Sequence, residues 1–227
     1  MAGKIWFRRL LLTGASALAM IAGAQAGTWD FGYSGSVTFW TAPATGSYDV
    51  TAWGAQGGSA LSGGGLGAEM GGDITLAQGT TLGVLVGGQG GNDTFGYGYA
   101  GGGGGGSFVF VNPSTPLVAA GGGGGGGFLG VPGRPGLATR SGSAGSNGGF
   151  TFSGGAGGTY GSGGGGGGSY LANAFTNTVE ASGVRYGDGY VAIRSVPEPS
   201  TWAMIAIGFG AVGFLGLRRG QLRKAIL

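Results

Sequence analysis

Cysteine and histidine are both absent from the 227 residues. Their absence excludes a disulfide framework, a thiolate or imidazole metal site, and any histidine-based acid–base pair or triad. Lysine occurs only at positions 4 and 224, so the Gly-Lys-Ser/Thr phosphate loop is excluded as well. Only seven prolines are present, and the glycine runs 101–106, 121–127 and 163–168 break any strict every-third-residue pattern. Both facts exclude collagen. Charge is scarce at 8%, and its placement matters more than its total. Residues 27–196 hold four basic residues against seven acids, a net −3, while the other basic residues sit at the two ends. The basic pI of the chain therefore belongs to its termini and is no argument for nucleic-acid binding, which needs a basic patch on the folded part.

What the chain has in excess is glycine. There are 63, all but eight of them within residues 27–196. GxGxxG patterns recur at this glycine content, but none sits in a strand–turn–helix unit, and dinucleotide binding is set aside. Gly87–Phe95 (GGQGGNDTF) has one copy of a β-roll-like calcium pattern with an extra glycine. That motif works only in tandem, so the segment reads as a polar turn. No metal or cofactor is expected, and the scattered acids give no reason to expect an enzyme.

The ends read as addresses. Lys4, Arg8 and Arg9 precede an apolar core from Leu10 to Ala22, and Ala24-Gln25-Ala26 places small residues before Gly27. This is the pattern of a signal peptide cut after Ala26. No Ser or Thr precedes the arginine pair, so the general secretory route is expected rather than the twin-arginine one. At the other end, Val196-Pro197-Glu198-Pro199-Ser200 precedes the apolar stretch 202–217, closed by Arg218 and Arg219. Sixteen helical residues span about 24 Å, short of a ~30 Å hydrocarbon core. Snorkelling arginines and an interfacial Trp202 would make up the difference. The positive-inside rule places Arg218, Arg219 and the tail 221–227 in the cytoplasm and the body outside.

Residues 196–220 closely resemble the PEP-CTERM sorting signal of Gram-negative bacteria that make exopolysaccharide. The resemblance implies that Pro197, Glu198 and Pro199 are recognised by exosortase, a membrane enzyme that cuts near the tripeptide and releases or transfers the protein to the cell surface. The partners it implies are the secretion machinery, an exosortase-like membrane protease, and exopolysaccharide or other surface proteins.

Between the ends, eight segments have strand chemistry: 36–41, 47–53, 73–76, 80–86, 108–111, 117–120, 169–172 and 190–193. Each is β-branched, aromatic or alternating, and turn residues such as Pro43–Gly46 and Gly187-Asp188-Gly189 separate them. No stretch within 27–196 has capped helical periodicity. The expected class is all-β, a two-sheet sandwich. The glycine-rich stretches 87–107 and 121–168 admit two physical options. One is a flexible solvated loop. The other is a set of three-fold extended helices packed closely because glycine lacks Cβ.

Gly46–Gly58 (GSYDVTAWGAQGG), Leu85–Gly90, Pro116–Gly121, Gly163–Gly168 and Gly187–Ile193 resemble, in order, the glycine-rich domain of the anaplastic lymphoma kinase and leukocyte tyrosine kinase ectodomains. That resemblance covers about residues 36–194. It implies a jelly-roll-like sandwich carrying polyglycine-II helices, and so the packed option. The family's cysteines, kinase and membrane-proximal module are missing, so receptor function does not carry over.

The expected organisation is a signal helix (1–26), a glycine-rich β domain (27–195), a sorting signal with a transmembrane helix (196–220) and a basic cytoplasmic tail (221–227). The expected function is that of an exported surface or extracellular-matrix structural protein associated with exopolysaccharide and biofilm. It would be held transiently in the inner membrane and then delivered to the cell surface. The alternative is a surface binding module, an adhesin for a glycan or protein. Phe95, Tyr97 and Tyr99 alternate with glycine in an aromatic cluster suited to stacking on a ligand. Trp29, Phe31, Tyr33, Trp40 and Trp53 are further aromatics, with Trp40 and Trp53 expected inside because they lie in strands.

Overall fold

A computed structural model of the chain describes residues 27–93, 100–112, 115–127, 130–144, 166–197 and 207–209. Ten strands are present: β1 (Thr28–Phe31), β2 (Thr38–Thr41), β3 (Gly46–Trp53), β4 (Gly67–Leu76), β5 (Thr81–Leu85), β6 (Ser107–Asn112), β7 (Thr115–Ala120), β8 (Tyr170–Leu171), β9 (Thr176–Arg185) and β10 (Tyr190–Val196). They form two five-stranded sheets, ordered β1-β10-β3-β4-β9 and β2-β5-β6-β7-β8. Every pairing is antiparallel.

Period-two alternation decides which side chains meet between the sheets. Tyr48, Val50 and Ala52 of β3, Val191 and Ile193 of β10, and Met70, Ile74 and Leu76 of β4 face Trp40 of β2, Leu82 and Val84 of β5, Val109 of β6 and Val118 of β7 in one buried cluster. Each fully buried side chain of this size contributes about 1.5–3 kcal/mol. At one end of the core Trp40 packs edge-on against Trp29 and Tyr48, at 5.1 and 5.4 Å between ring centroids. The buried Tyr48 hydroxyl donates to the Ala44 carbonyl at 2.7 Å.

All eight segments with strand chemistry form strands. Two strands carried too little signal to be expected. Short β1 holds only Trp29 and Phe31 as apolar residues. β9 is an edge strand that is mostly exposed, so it has no inward apolar row to read. It also departs from regular pairing with register shifts against β4 and a positive φ of 48° at Asn177. β4 begins six residues before the expected Asp73, because its first half, Gly67–Gly72, reads as loop composition. A Cβ on Gly71 would meet the Thr51 Cα and the Val50 carbonyl within 3 Å, so this strand needs glycine to approach β3.

The described glycine runs are packed rather than solvated. Segments 54–58, 63–67, 87–91, 101–106, 121–127, 133–137 and 166–168 all continue from strands at one end of the sandwich or lie against those that do. Residues 121–127 are buried throughout and are hydrogen-bonded to five of the other runs. The bonds recur every third residue. The N–H groups of Gly123 and Gly126 donate to the carbonyls of Ala55 and Gly58, those of Ala68 and Gly65 to Gly121 and Gly124, and those of Gly104 and Gly101 to Gly123 and Gly126, all at 2.8–2.9 Å. A three-residue repeat is that of an extended three-fold helix, and none of the described positive-φ glycines lies in these runs. Close approach is what requires glycine here. A Cβ on Gly123 would lie against the Gly65 carbonyl, and one on Gly57 against the Gly124 carbonyl, both closer than real Cβ atoms come.

Two buried serines join the lattice to the sheets. Ser107 Oγ donates to the Trp53 carbonyl at 2.7 Å and accepts from the Gly87 N–H at 3.1 Å. Ser169 Oγ donates to the Leu137 carbonyl at 2.6 Å and accepts from the Gly121 N–H at 2.9 Å. Each hydroxyl thus satisfies two backbone groups where strand geometry gives way to the three-fold helix.

Gly123→Ala is expected to destabilise the fold by about 1–3 kcal/mol or more, measured by chemical denaturation. Gly91→Ala, whose Cβ would meet nothing within 4 Å, is the matched control and is expected to be near neutral. Ser169→Ala should cost about 1–3 kcal/mol, because it leaves a buried N–H and a half-buried carbonyl without this partner.

Candidate functional site

The register of the first sheet places side by side the described residues next to the two expected processing regions. β1 pairs with β10, Thr28 opposite Arg194. One step further, the Ser195 N–H donates to the Gly27 carbonyl at 2.9 Å, and the Gly27 N–H donates to Ser195 Oγ at 2.7 Å. Gly27, the expected first residue after signal cleavage, is thus held against the residue that precedes Val196 and Pro197. Pro197 follows β10 with no linker. β10 runs from Tyr190, opposite Trp53 at the glycine end, to Val196, opposite Ser47 at the far end. Gly27 and Pro197 therefore lie at one end of the sandwich, and the glycine lattice extends from the other.

Several expected site residues lie outside the described residues: Ala24 and Ala26 of the signal cleavage site, Glu198 and Pro199 of the tripeptide, Arg218 and Arg219 of the membrane stop, and Phe95, Tyr97 and Tyr99. Of the apolar stretch 202–217, only 207–209 is described, and it is helical, with Ile207 and Phe209 exposed. Among the described residues no helix is long and apolar enough to cross a membrane.

Trp53 departs from expectation. It lies in a strand but points away from the core, because its neighbour Ala52 takes the inward position. On the outer face of the first sheet it meets Tyr190, its cross-strand partner, at 5.7 Å between ring centroids. The Arg185 guanidinium lies 5.3 Å over the Tyr190 ring and is steadied by an Nε–H bond to the Asp188 carbonyl at 2.9 Å. A hydrogen bond to Asp30, aided by partial burial, raises the Tyr190 phenol above its ordinary ionisation range.

The same face collects four of the acids that look scattered in sequence, Asp30 among them. Arg194, Asp49 and Asp73 occupy facing positions on β10, β3 and β4, and Glu69 faces Trp53. Asp49 accepts from Thr51 Oγ1 at 3.1 Å, and Asp73 from Asn177 Nδ2 at 2.8 Å. Strand pairing made these neighbours, so no sequence spacing could have shown them. In the Gly87–Phe95 segment, Gly87–Gly91 belongs to the lattice, and Asn92 Oδ1 accepts from the Ser59 N–H at 2.8 Å. Among the described residues no three acidic side chains are grouped to hold a metal ion.

The fold defines an antiparallel two-sheet β protein with a glycine-helix extension. Its sorting identity comes from the end where Gly27 meets Ser195: residues 195–219 match the family model of the PEP-CTERM protein-sorting motif, one residue upstream of the expected bounds at both ends. The motif marks an exported protein that exosortase recognises and sorts through the membrane to the cell surface. No curated protein matches the chain.

The pairing of the ends is testable in a chain without native cysteine. Thr28→Cys with Arg194→Cys should form an intramolecular disulfide in the folded body, read as a loss of free thiol and a faster-migrating non-reduced band. Persistent free thiols in folded protein would contradict the pairing.

Proposed function

We propose that the chain is a non-catalytic structural protein of the cell surface or extracellular matrix, associated with exopolysaccharide. The observation that carries this reading is the polarity of the body. Its two ends leave together beside the sorting motif, and the close-packed glycine lattice lies at the opposite end. The sandwich is then the base, and the lattice is a stiff extension directed away from the membrane. A seven-residue three-fold run such as 121–127 reaches about 20 Å at ~3.1 Å per residue.

In this reading the signal peptide is cut after Ala26. The stretch 202–217 spans the inner membrane transiently, with Arg218, Arg219 and the tail in the cytoplasm. Exosortase then reads Pro197, Glu198 and Pro199. The sandwich is jelly-roll-like, in keeping with its glycine-rich resemblance.

A second reading is an adhesin for a glycan or protein. It is favoured by the outward Trp53–Tyr190 pair with its flanking carboxylates, since aromatic faces beside polar groups suit sugars. Phe95, Tyr97 and Tyr99 belong to the same reading.

The intact mass of the protein extracted from the cell surface tests the preferred function. A species beginning at Gly27 and ending within or beside Pro197–Pro199, with or without an attached group, is expected. Full-length material retained in the cytoplasm would contradict it. A glycan array probed with that mature protein separates the two readings. Binding lost in Trp53→Ala/Tyr190→Ala at unchanged stability would favour the adhesin, and a blank array the structural role.

A further inference from the structure

We propose that the outer face of the β2-β5-β6-β7-β8 sheet is a pairing surface for a second copy of this chain, the two copies lying side by side with their paired termini at the same end. The proposal rests on the structural reading above and names the partner that reading leaves open.

The two sheets differ sharply in charge. No residue of β2, β5, β6, β7 or β8 is charged. The strands of the other sheet carry Asp30, Asp49, Glu69, Asp73 and Glu180 against Arg185 and Arg194. The uncharged sheet also turns aromatic side chains outward. Phe39 faces Gly83, which faces Phe110, in one row. Leu85, Phe108, Ala119 and Tyr170 form the next row. Phe39 is 70% exposed and Phe108 39%. Exposed apolar surface this continuous marks a contact surface rather than a solvated one.

The chemistry of the face selects the occupant. A glycan needs polar groups to orient it, and this face has few. The Thr41 and Thr81 hydroxyls, at one margin, bond to each other at 3.0 Å, and the Tyr170 ring at the other margin is covered by the Arg140 guanidinium at 5.0 Å. An anionic partner would find only Arg140, already engaged on the Tyr170 ring at that margin, and a cationic partner would find no counter-charge on the strands of this sheet. A second copy presents an identical apolar face. Bodies of net −3 repel through their acidic sheets, and the uncharged sheet is where two of them can meet without that repulsion. A two-fold axis parallel to the strands makes such a contact isologous and closed. Because the strands run from the terminus end to the glycine end, that axis leaves both sorting ends on the same side, as two proteins delivered to one surface require.

The test uses mature protein recovered from the cell surface. Sedimentation should show a dimer at micromolar concentration. Phe39→Lys, at a site exposed enough to leave the fold intact, should raise the dimer dissociation constant at least about tenfold. Thr75→Lys, on the exposed side of the acidic sheet, should not. Phe108→Cys should give an oxidised, disulfide-linked dimer, and Thr75→Cys should not. A wild-type monomer throughout, a dimer indifferent to Phe39→Lys, or a monomer whose Phe39-dependent ligand is the host polysaccharide would each overturn the pairing. A monomer that still reaches the surface with both cuts made leaves the sorting reading intact and removes the pairing alone.

Discussion

The hydrogen bond between neighbouring glycine runs is the interaction on which the glycine-rich extension, and with it the polarity of the body, depends. It forms only at a backbone separation that leaves no room for a Cβ, as the Gly123–Gly65 and Gly57–Gly124 approaches show. Its energetics are close to balance. Ordering a residue costs about 1–2 kcal/mol of backbone entropy, more for glycine, and a typical hydrogen bond returns about 0.5–1.5 kcal/mol net. Glycine helices with no side chains to bury do not hold themselves together on those terms. The sandwich supplies what is missing, because its strands fix where most of the runs start or end, and Ser107 and Ser169 clamp the junctions. The core is thus the nucleus, and the lattice an outgrowth that persists while the sheets hold its roots in register.

Much of this was legible in the sequence for the same physical reasons. Segments such as SYDVTAW alternate because one face is buried, and Tyr48, Val50 and Ala52 do enter the core. What escaped were elements whose stability comes from elsewhere. β9 lies at an edge and needs no apolar row. The glycine-rich half of β4 is a strand because it can lie close against β3, an advantage no propensity scale credits. Strand membership alone predicts burial for Trp53, whereas the inward phase of that strand belongs to Ala52. The glycine runs left two options open in sequence, and the three-residue recurrence of their bonds selects the packed one.

The contrast between the two faces was less accessible. The chain crosses between sheets after β1, β2, β4 and β8, so charged and uncharged strands are interleaved along it and their segregation does not show in linear order. Register gathers Asp49, Asp73 and Arg194 into one row on one sheet and Leu85, Phe108 and Ala119 into one row on the other. The candidate sites are therefore products of topology, unlike the sorting motif, which is contiguous and was readable directly.

Topology also bears on when the body can fold. β10 lies between β1 and β3, so the first sheet stays split until residues 190–196 arrive, and these are the residues immediately before Pro197. Until then β1 has no partner strand and Val191 and Ile193 are missing from the core. Pairings of this sequence separation are slow to close, which suits a chain that must cross a membrane before it folds. Once β10 inserts, Gly27 and Ser195 are joined and the sorting segment emerges directly from a completed sheet. The same strand that completes the fold thus carries the first residues of the sorting motif.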